Sequence, residues 1–123
     1  MGYSASSVQE AWDNHFSAFG DKDVEKILLD YDEDSIVTTY DHAFKEKMVY
    51  KGVEGVRTFF VGIFEKLSDM SDLAAPVIDI DGDNKMAFLV WRCPASGIID
   101  ATDTFVFHDD SKIRCQNVVY RTG

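Results

Sequence analysis

The chain is short of cysteine, of basic residues and of long apolar runs, and each shortage removes a class of protein. Two cysteines, Cys93 and Cys115, cannot build a disulfide framework, and both fall in strand-like segments, where they read as free, partly buried thiols. Twelve Lys and Arg stand against 22 Asp and Glu, a net charge of −10, so there is no basic footprint for nucleic acid or an anionic membrane. No stretch of about 18 consecutive apolar residues occurs, which excludes a membrane-spanning helix. The N-terminus MGYSASSVQEAW has no charged region followed by an apolar one, so a cytoplasmic protein is the expectation.

Motifs with a fixed chemistry are missing too. DIDGDN, residues 79–84, alternates acidic residues like a calcium loop, but Val90 stands where the bidentate glutamate belongs, and the segment reads as a hairpin turn. The three histidines and two cysteines lack zinc-ligand spacing, so no metal site is expected. There is no phosphate loop, no dinucleotide fingerprint and no nucleophile-elbow serine, and no cofactor is expected.

What is present is an ordinary globular composition, 46% hydrophobic, in a length suited to one domain spanning residues 1–123. Ser7 and Glu10 have capping-box spacing, and Val8, Ala11, Trp12, His15 and Phe19 follow at helical intervals until Gly20. Asp21 or Asp23 caps a short second helix with Val24, Ile27, Leu28 and Tyr31 buried. The acidic Asp32-Glu33-Asp34 reads as a break before the strand SIVTTY, and DHAFK as the connection to a second strand, EKMVY. A third helix follows Gly52 and Gly55, with Val56, Phe59, Phe60, Ile63, Phe64 and Leu67 on one face. APVIDI, KMAFLVWRC, GIIDATDTFVFH and KIRCQNVVYR then alternate with short turn sequences, which predicts antiparallel hairpins. The sum is an α+β fold, a curved antiparallel sheet packing its concave face on helices.

Two polar residues sit where hydrophobes belong. In IDATDTFVF, residues 99–107, Asp103 shares a strand face with Ile99, Ala101, Phe105 and Phe107; in the first helix His15 lies on the apolar stripe. A buried carboxylate is costly unless it is paired, hydrogen-bonded or protonated. Its pKa rises if desolvation dominates and falls if a cationic His15 is close. Either Asp103 is a pocket acid/base, or it is satisfied by Tyr120, Gln116 or His15 without any ligand. His15 has the same two readings, base or packed ring. The aromatics Trp12, Phe16, Phe59, Phe60 and Phe64 read as core, a few of them lining a pocket. His42 and His108 flank turns and read as solvated.

The segments GDKDVEKILLDYDEDSIV, YKGVEGVRTFF and DTFVFHDDSKIRCQNVVY, in this order and spacing, resemble the nuclear transport factor 2-like superfamily, in particular its SnoaL-like enzymes and ketosteroid isomerases. The resemblance implies a cone, in which the sheet wraps a pocket closed by three helices, and a homodimer paired through the outer sheet face. It implies a small apolar ligand and either cofactor-free acid–base chemistry, of isomerase, cyclase or dehydratase type, with Asp103 as acid/base and His15 near the isomerases' helix-1 tyrosine, or a non-catalytic binding or dimerisation module of the same fold. Trp12, Phe16, Tyr31, Phe60, Phe64 and Phe105 would line the pocket. Gln116, Val118 and Tyr120 would face inward on the last strand, and Phe88, Val90 and Arg92 on an earlier one, unless a one-residue slip turns Trp91 inward. The isomerases' general-base position holds Thr39, which cannot take a proton from carbon; Asp41, of the same strand parity, is either a substitute base or, as its place at the strand's end favours, a solvated turn residue. The resemblance aligns Arg92 with the arginine of limonene epoxide hydrolases, but its partners' positions hold Pro94 and Val118, so neither that activity nor the isomerases' own transfers.

Overall fold

A computed structural model describes residues 4–40 and 46–123. Helix α1 covers Val8–Gly20 and α2 Val24–Ile27, followed by a 3-10 turn, Leu28–Asp30. Strand β1 is Tyr31–Tyr40, β2 Lys47–Lys51, and α3 Gly52–Lys66; β3 is Ala74–Asp81, β4 Met86–Cys93, β5 Ile98–Phe107 and β6 Ile113–Thr122. Asp41, His42 and the rest of DHAFK lie outside the described residues. None of the described helices is long and apolar enough to cross a membrane.

Local chemistry sets the helix ends. The Ser7 hydroxyl accepts from the Glu10 amide at 3.1 Å, whereas the Glu10 carboxylate accepts from the Ser6 amide, so the capping box closes one residue early. Asp23 caps α2 by accepting from the Lys26 amide. α3 has no capping side chain of its own; Glu33 on β1 supplies a carboxylate to the Val53 amide at 3.3 Å. Gly52 beside it holds φ +72°, a conformation that favours glycine.

The six strands form one open, curved sheet in the order β2-β1-β6-β5-β4-β3. Every hairpin predicted along the chain is antiparallel, but β1 and β6 pair parallel, so the sheet is mixed. Turn sequences report only on chain neighbours, and this pair is separated by most of the protein. The acidic triplet is not a break: β1 begins at Tyr31, and the register with β6 shifts between Tyr31 and Ile36. There the Ser35 hydroxyl donates to the Ile113 carbonyl at 2.5 Å. A second irregularity, between Ile98 and Asp100, turns Ile98 inward and leaves Ile99 exposed, contrary to its predicted place beside Asp103.

The helices cover the concave face. Between them and the sheet lies an aromatic core in which Trp12 meets Phe105 edge-on at 5.3 Å, and Phe60 meets Phe59 at 4.9 Å and Phe64 at 5.7 Å. DIDGDN makes the β3–β4 turn, closed by Asp81 accepting from the Asn84 amide and side chain.

Candidate active site

Cross-strand register decides which side chains meet on the concave face. Ile78, Leu89, Asp103, Val118, Thr39 and Met48 are successive partners across all six strands and form one row. Ala101 pairs with Trp91 on one side and Tyr120 on the other, while Phe105 pairs with Ala87 and Gln116. Gln116 and Val118 are therefore inward and buried, as expected, and Tyr120 inward and half-buried. β4 takes the alternative register. Ala87, Leu89, Trp91 and Cys93 are buried, whereas Phe88 (39% exposed) and Arg92 lie on the outer side. Slipping a strand by one residue exchanges its faces, and a run as apolar as MAFLVW does not show which face is buried.

A cavity of about 250 Å³ opens between the helices and this face. Asp103, Gln116, Leu89, Trp91 and Val118 supply the sheet wall; His15, Phe16 and Phe19 come from α1, Phe59, Phe60 and Ile63 from α3, and Leu73 and Ala75 from the segment entering β3. Trp12, Tyr31, Phe64 and Phe105 are core residues behind that wall, and Thr39 and Tyr120 line a neighbouring chamber instead. Trp91 stood in the sequence only as the slipped-register alternative. Leu73 and Ala75 carried no signal, since Leu73, in the return of the chain after α3, and Ala75, at the start of β3, enter the wall only through the path of the chain.

Asp103 is buried and receives two hydrogen bonds, from Trp91 Nε1 at 3.0 Å and from Gln116 Nε2 at 2.9 Å. Gln116 in turn accepts from the Tyr31 hydroxyl, so its amide orientation is set from both ends. Both donors favour the ionised carboxylate, but desolvation outweighs them and Asp103 is pushed up from 3.8 to about 6. Burial also raises the Tyr31 phenol, with Asp103 and Asp30 adding to the effect.

His15 is not among the partners of Asp103. Its ring sits in an aromatic cage, 5.0 Å from Phe105, 5.6 Å from Trp12 and 6.0 Å from Phe60. Nδ1 is buried with no hydrogen-bond partner among the described residues. Desolvation alone lowers the imidazole from 6.5 to about 3, so His15 is neutral at physiological pH. The two groups share a cavity without touching, and their environments push their pKa values in opposite directions. His108, expected in solvent, is half-buried, and its Nε2 is buried without a partner among the described residues.

No family model matches the sequence, and no curated protein matches it. Solved structures do. A steroid delta-isomerase from Pseudomonas aeruginosa superposes with TM-score 0.72 at 15% identity, covering 95% of this chain and 81% of that one. A putative SnoaL-like polyketide cyclase from Shewanella denitrificans gives 0.62 at 18% identity, covering 92% and 89%, and an NTF-2-like protein of unknown function from Burkholderia xenovorans gives 0.67 at 13%, covering 94% and 84%. This is the nuclear transport factor 2-like fold. Identities this low establish architecture and leave function to the site. Within that fold, Thr39 is buried and points to the concave face with no carboxylate beside it on β1, and Asp41 lies outside the described residues.

Proposed function

We propose that the protein is a small-molecule enzyme of SnoaL-like type doing cofactor-free acid–base chemistry, with Asp103 as the base and His15 as the group that holds the substrate oxygen. One observation carries this reading: two buried titratable groups, displaced in opposite directions, face one apolar cavity. Near neutral pH, Asp103 is largely a carboxylate of about the basicity that efficient proton transfer requires. With Nδ1 buried and unpartnered, the imidazole proton belongs on Nε2, because an orphaned N–H costs more than an orphaned lone pair. Asp103 takes a proton from carbon next to a carbonyl, and His15 Nε2–H donates a hydrogen bond to the oxygen as charge develops there. Returning the proton to another carbon isomerises the substrate; attack by the enolate on a second carbonyl cyclises it. Trp91 and Gln116 hold the carboxylate in place, and the aromatic wall keeps water from the enolate. Steroid-isomerase and SnoaL-like cyclase names among structures of the same fold support the reaction class.

The test is exchange of α-protons into D₂O, followed by NMR on a panel of compact aryl and alicyclic ketones. Wild type should exchange at least one ketone well above the buffer rate, and Asp103→Asn should lower that rate by about 100-fold or more while still binding the ketone. If no bound ketone exchanges faster than in buffer, the catalytic reading falls and a pure binding module takes its place.

We also infer a homodimer paired through the outer face of the sheet. Three outer rows run from Asp79, Val77 and Asp81 on β3 to Val49, Lys47 and Lys51 on β2. Their middles carry Phe88, Val90, Met86, Val106, Val119 and Ile36 interspersed with Thr38, Thr102, Thr104 and Asn117, so a partly apolar middle lies between an acidic edge and a basic one. A two-fold axis along the strands sets each edge of one copy over the opposite edge of the other, which is self-complementary.

A further inference from the structure

A second chamber, of about 290 Å³, adjoins the first and shares Phe59, Ile63, Trp91 and Val118 with it. Val118 sits between Asp103 and Thr39 in one cross-strand row, so the two polar residues are two strand spacings apart, roughly 10 Å between backbones. Thr39 is only 6% exposed, and its hydroxyl has no hydrogen-bond partner among the described residues. A hydroxyl that bonds no protein group is free to bond whatever occupies the space beside it. It is not sealed in packed protein either, since Thr39 forms part of the second chamber's wall. Among the described residues, the wall of that chamber carries one cation, Lys66, whose ammonium lies 5.6 Å from the centre of the Tyr120 ring, and one carboxylate, Glu46. Their charges offset each other, which favours a neutral group over an ion.

We propose that the two chambers are one elongated site for an apolar molecule bearing an oxygen at each end. Its enolisable carbonyl lies between His15 and Asp103, and a neutral hydroxyl or carbonyl at the far end hydrogen-bonds Thr39. Thr39 is then a specificity-determining residue and takes no part in proton transfer. This inference rests on the proposed placement of the carbonyl in the first chamber, and the experiment separates the two.

Binding of 2-acetylnaphthalene, 2-acetyl-6-hydroxynaphthalene and 6-acetyl-2-naphthoate is measured by calorimetry on wild type, Thr39→Val and His15→Phe. In wild type the 6-hydroxyl should tighten binding about fivefold to tenfold, the worth of one hydrogen bond. Thr39→Val should erase that gain, leave 2-acetylnaphthalene within about twofold, and melt no lower than wild type, because it removes a hydroxyl that bonds nothing. His15→Phe should weaken both ketones alike. No gain in wild type, or a gain that survives in Thr39→Val, overturns the Thr39 subsite while leaving the carbonyl placement standing. If the gain is lost in Thr39→Val but His15→Phe weakens neither ketone, the subsite stands and the carbonyl placement falls. Tighter binding of the naphthoate than of the hydroxyketone overturns the choice of a neutral group and makes Lys66 the anchor. Failure of all three probes to bind overturns both proposals.

Discussion

At the scale of single residues, Asp103 and His15 pull stability in opposite directions with pH. The folded pKa of Asp103, about 6, lies above its ordinary 3.8, so its contribution is fully present below about pH 4 and is lost as pH rises through 6. The displacement corresponds to about 3 kcal/mol. His15 is the reverse: its folded value, about 3, lies below 6.5, so its contribution is present above pH 6.5 and is lost as pH falls toward 3. Between about pH 4 and 6 one slope offsets the other. Urea unfolding at several pH values should therefore show Asp103→Asn gaining on wild type by about 3 kcal/mol from pH 4 to 7, and His15→Phe losing stability as pH rises from 4 to 6 in comparison with wild type. Stability curves that run parallel to wild type would remove the opposed pair on which the catalytic reading stands. Trp91 is the sharper probe of the carboxylate itself. Trp91→Phe deletes the donor to Oδ1, so the Asp103 carboxyl should titrate above 6 by ¹³C NMR, with a loss of about 1–3 kcal/mol at neutral pH.

At the scale of elements, α3 is set in place by its N-terminus. Gly52 turns through φ +72° so that the chain leaves β2 and enters the helix under the Glu33 carboxylate. A side chain there meets left-handed strain as well as the Glu33 carboxylate oxygen 3.2 Å away. Gly52→Ala should cost about 1–2 kcal/mol. Gly62, in the same helix, faces open space, and Gly62→Ala should gain about 0.5–1 kcal/mol from helix propensity. Thermal melts of the two variants should move in opposite directions; a common direction would show that neither glycine is held by backbone conformation. The buried face of β4, too, is set from outside its own segment. Its cross-strand partners Ala101, Asp103 and Phe105 select Trp91, Leu89 and Ala87, and those partners lie in another strand.

At the scale of the whole molecule, net charge and edge charge act differently. A surface with net charge −10 repels its own copies at long range, but the proposed two-fold sets Lys51 against Asp81. Light scattering coupled to gel filtration should give twice the chain mass for wild type. Phe88→Glu, which places a carboxylate on the proposed interface beside Asp79, should shift it to a monomer without lowering α-proton exchange. A monomeric wild type at micromolar concentration would dispose of the dimer.

The order of the elements and the two misplaced polar residues are legible from the chain alone. Helical spacing, capping residues and turn chemistry are local, so α1 and the later hairpins were legible within a residue or two, whereas the ends of α2, β1 and α3 differ by about four residues, and a polar side chain on an apolar period stands out without a structure. The chain alone also placed Gln116 and Val118 inward, since their strand parity agrees with the family pattern. Only the tertiary structure decided which face of β4 is buried, that β1 runs parallel to β6, and that Asp103 bonds Trp91 and Gln116 and leaves His15 alone. The reason is physical: periodicity constrains a residue relative to its own strand or helix, whereas partners, burial and pKa depend on groups brought together from distant parts of the chain.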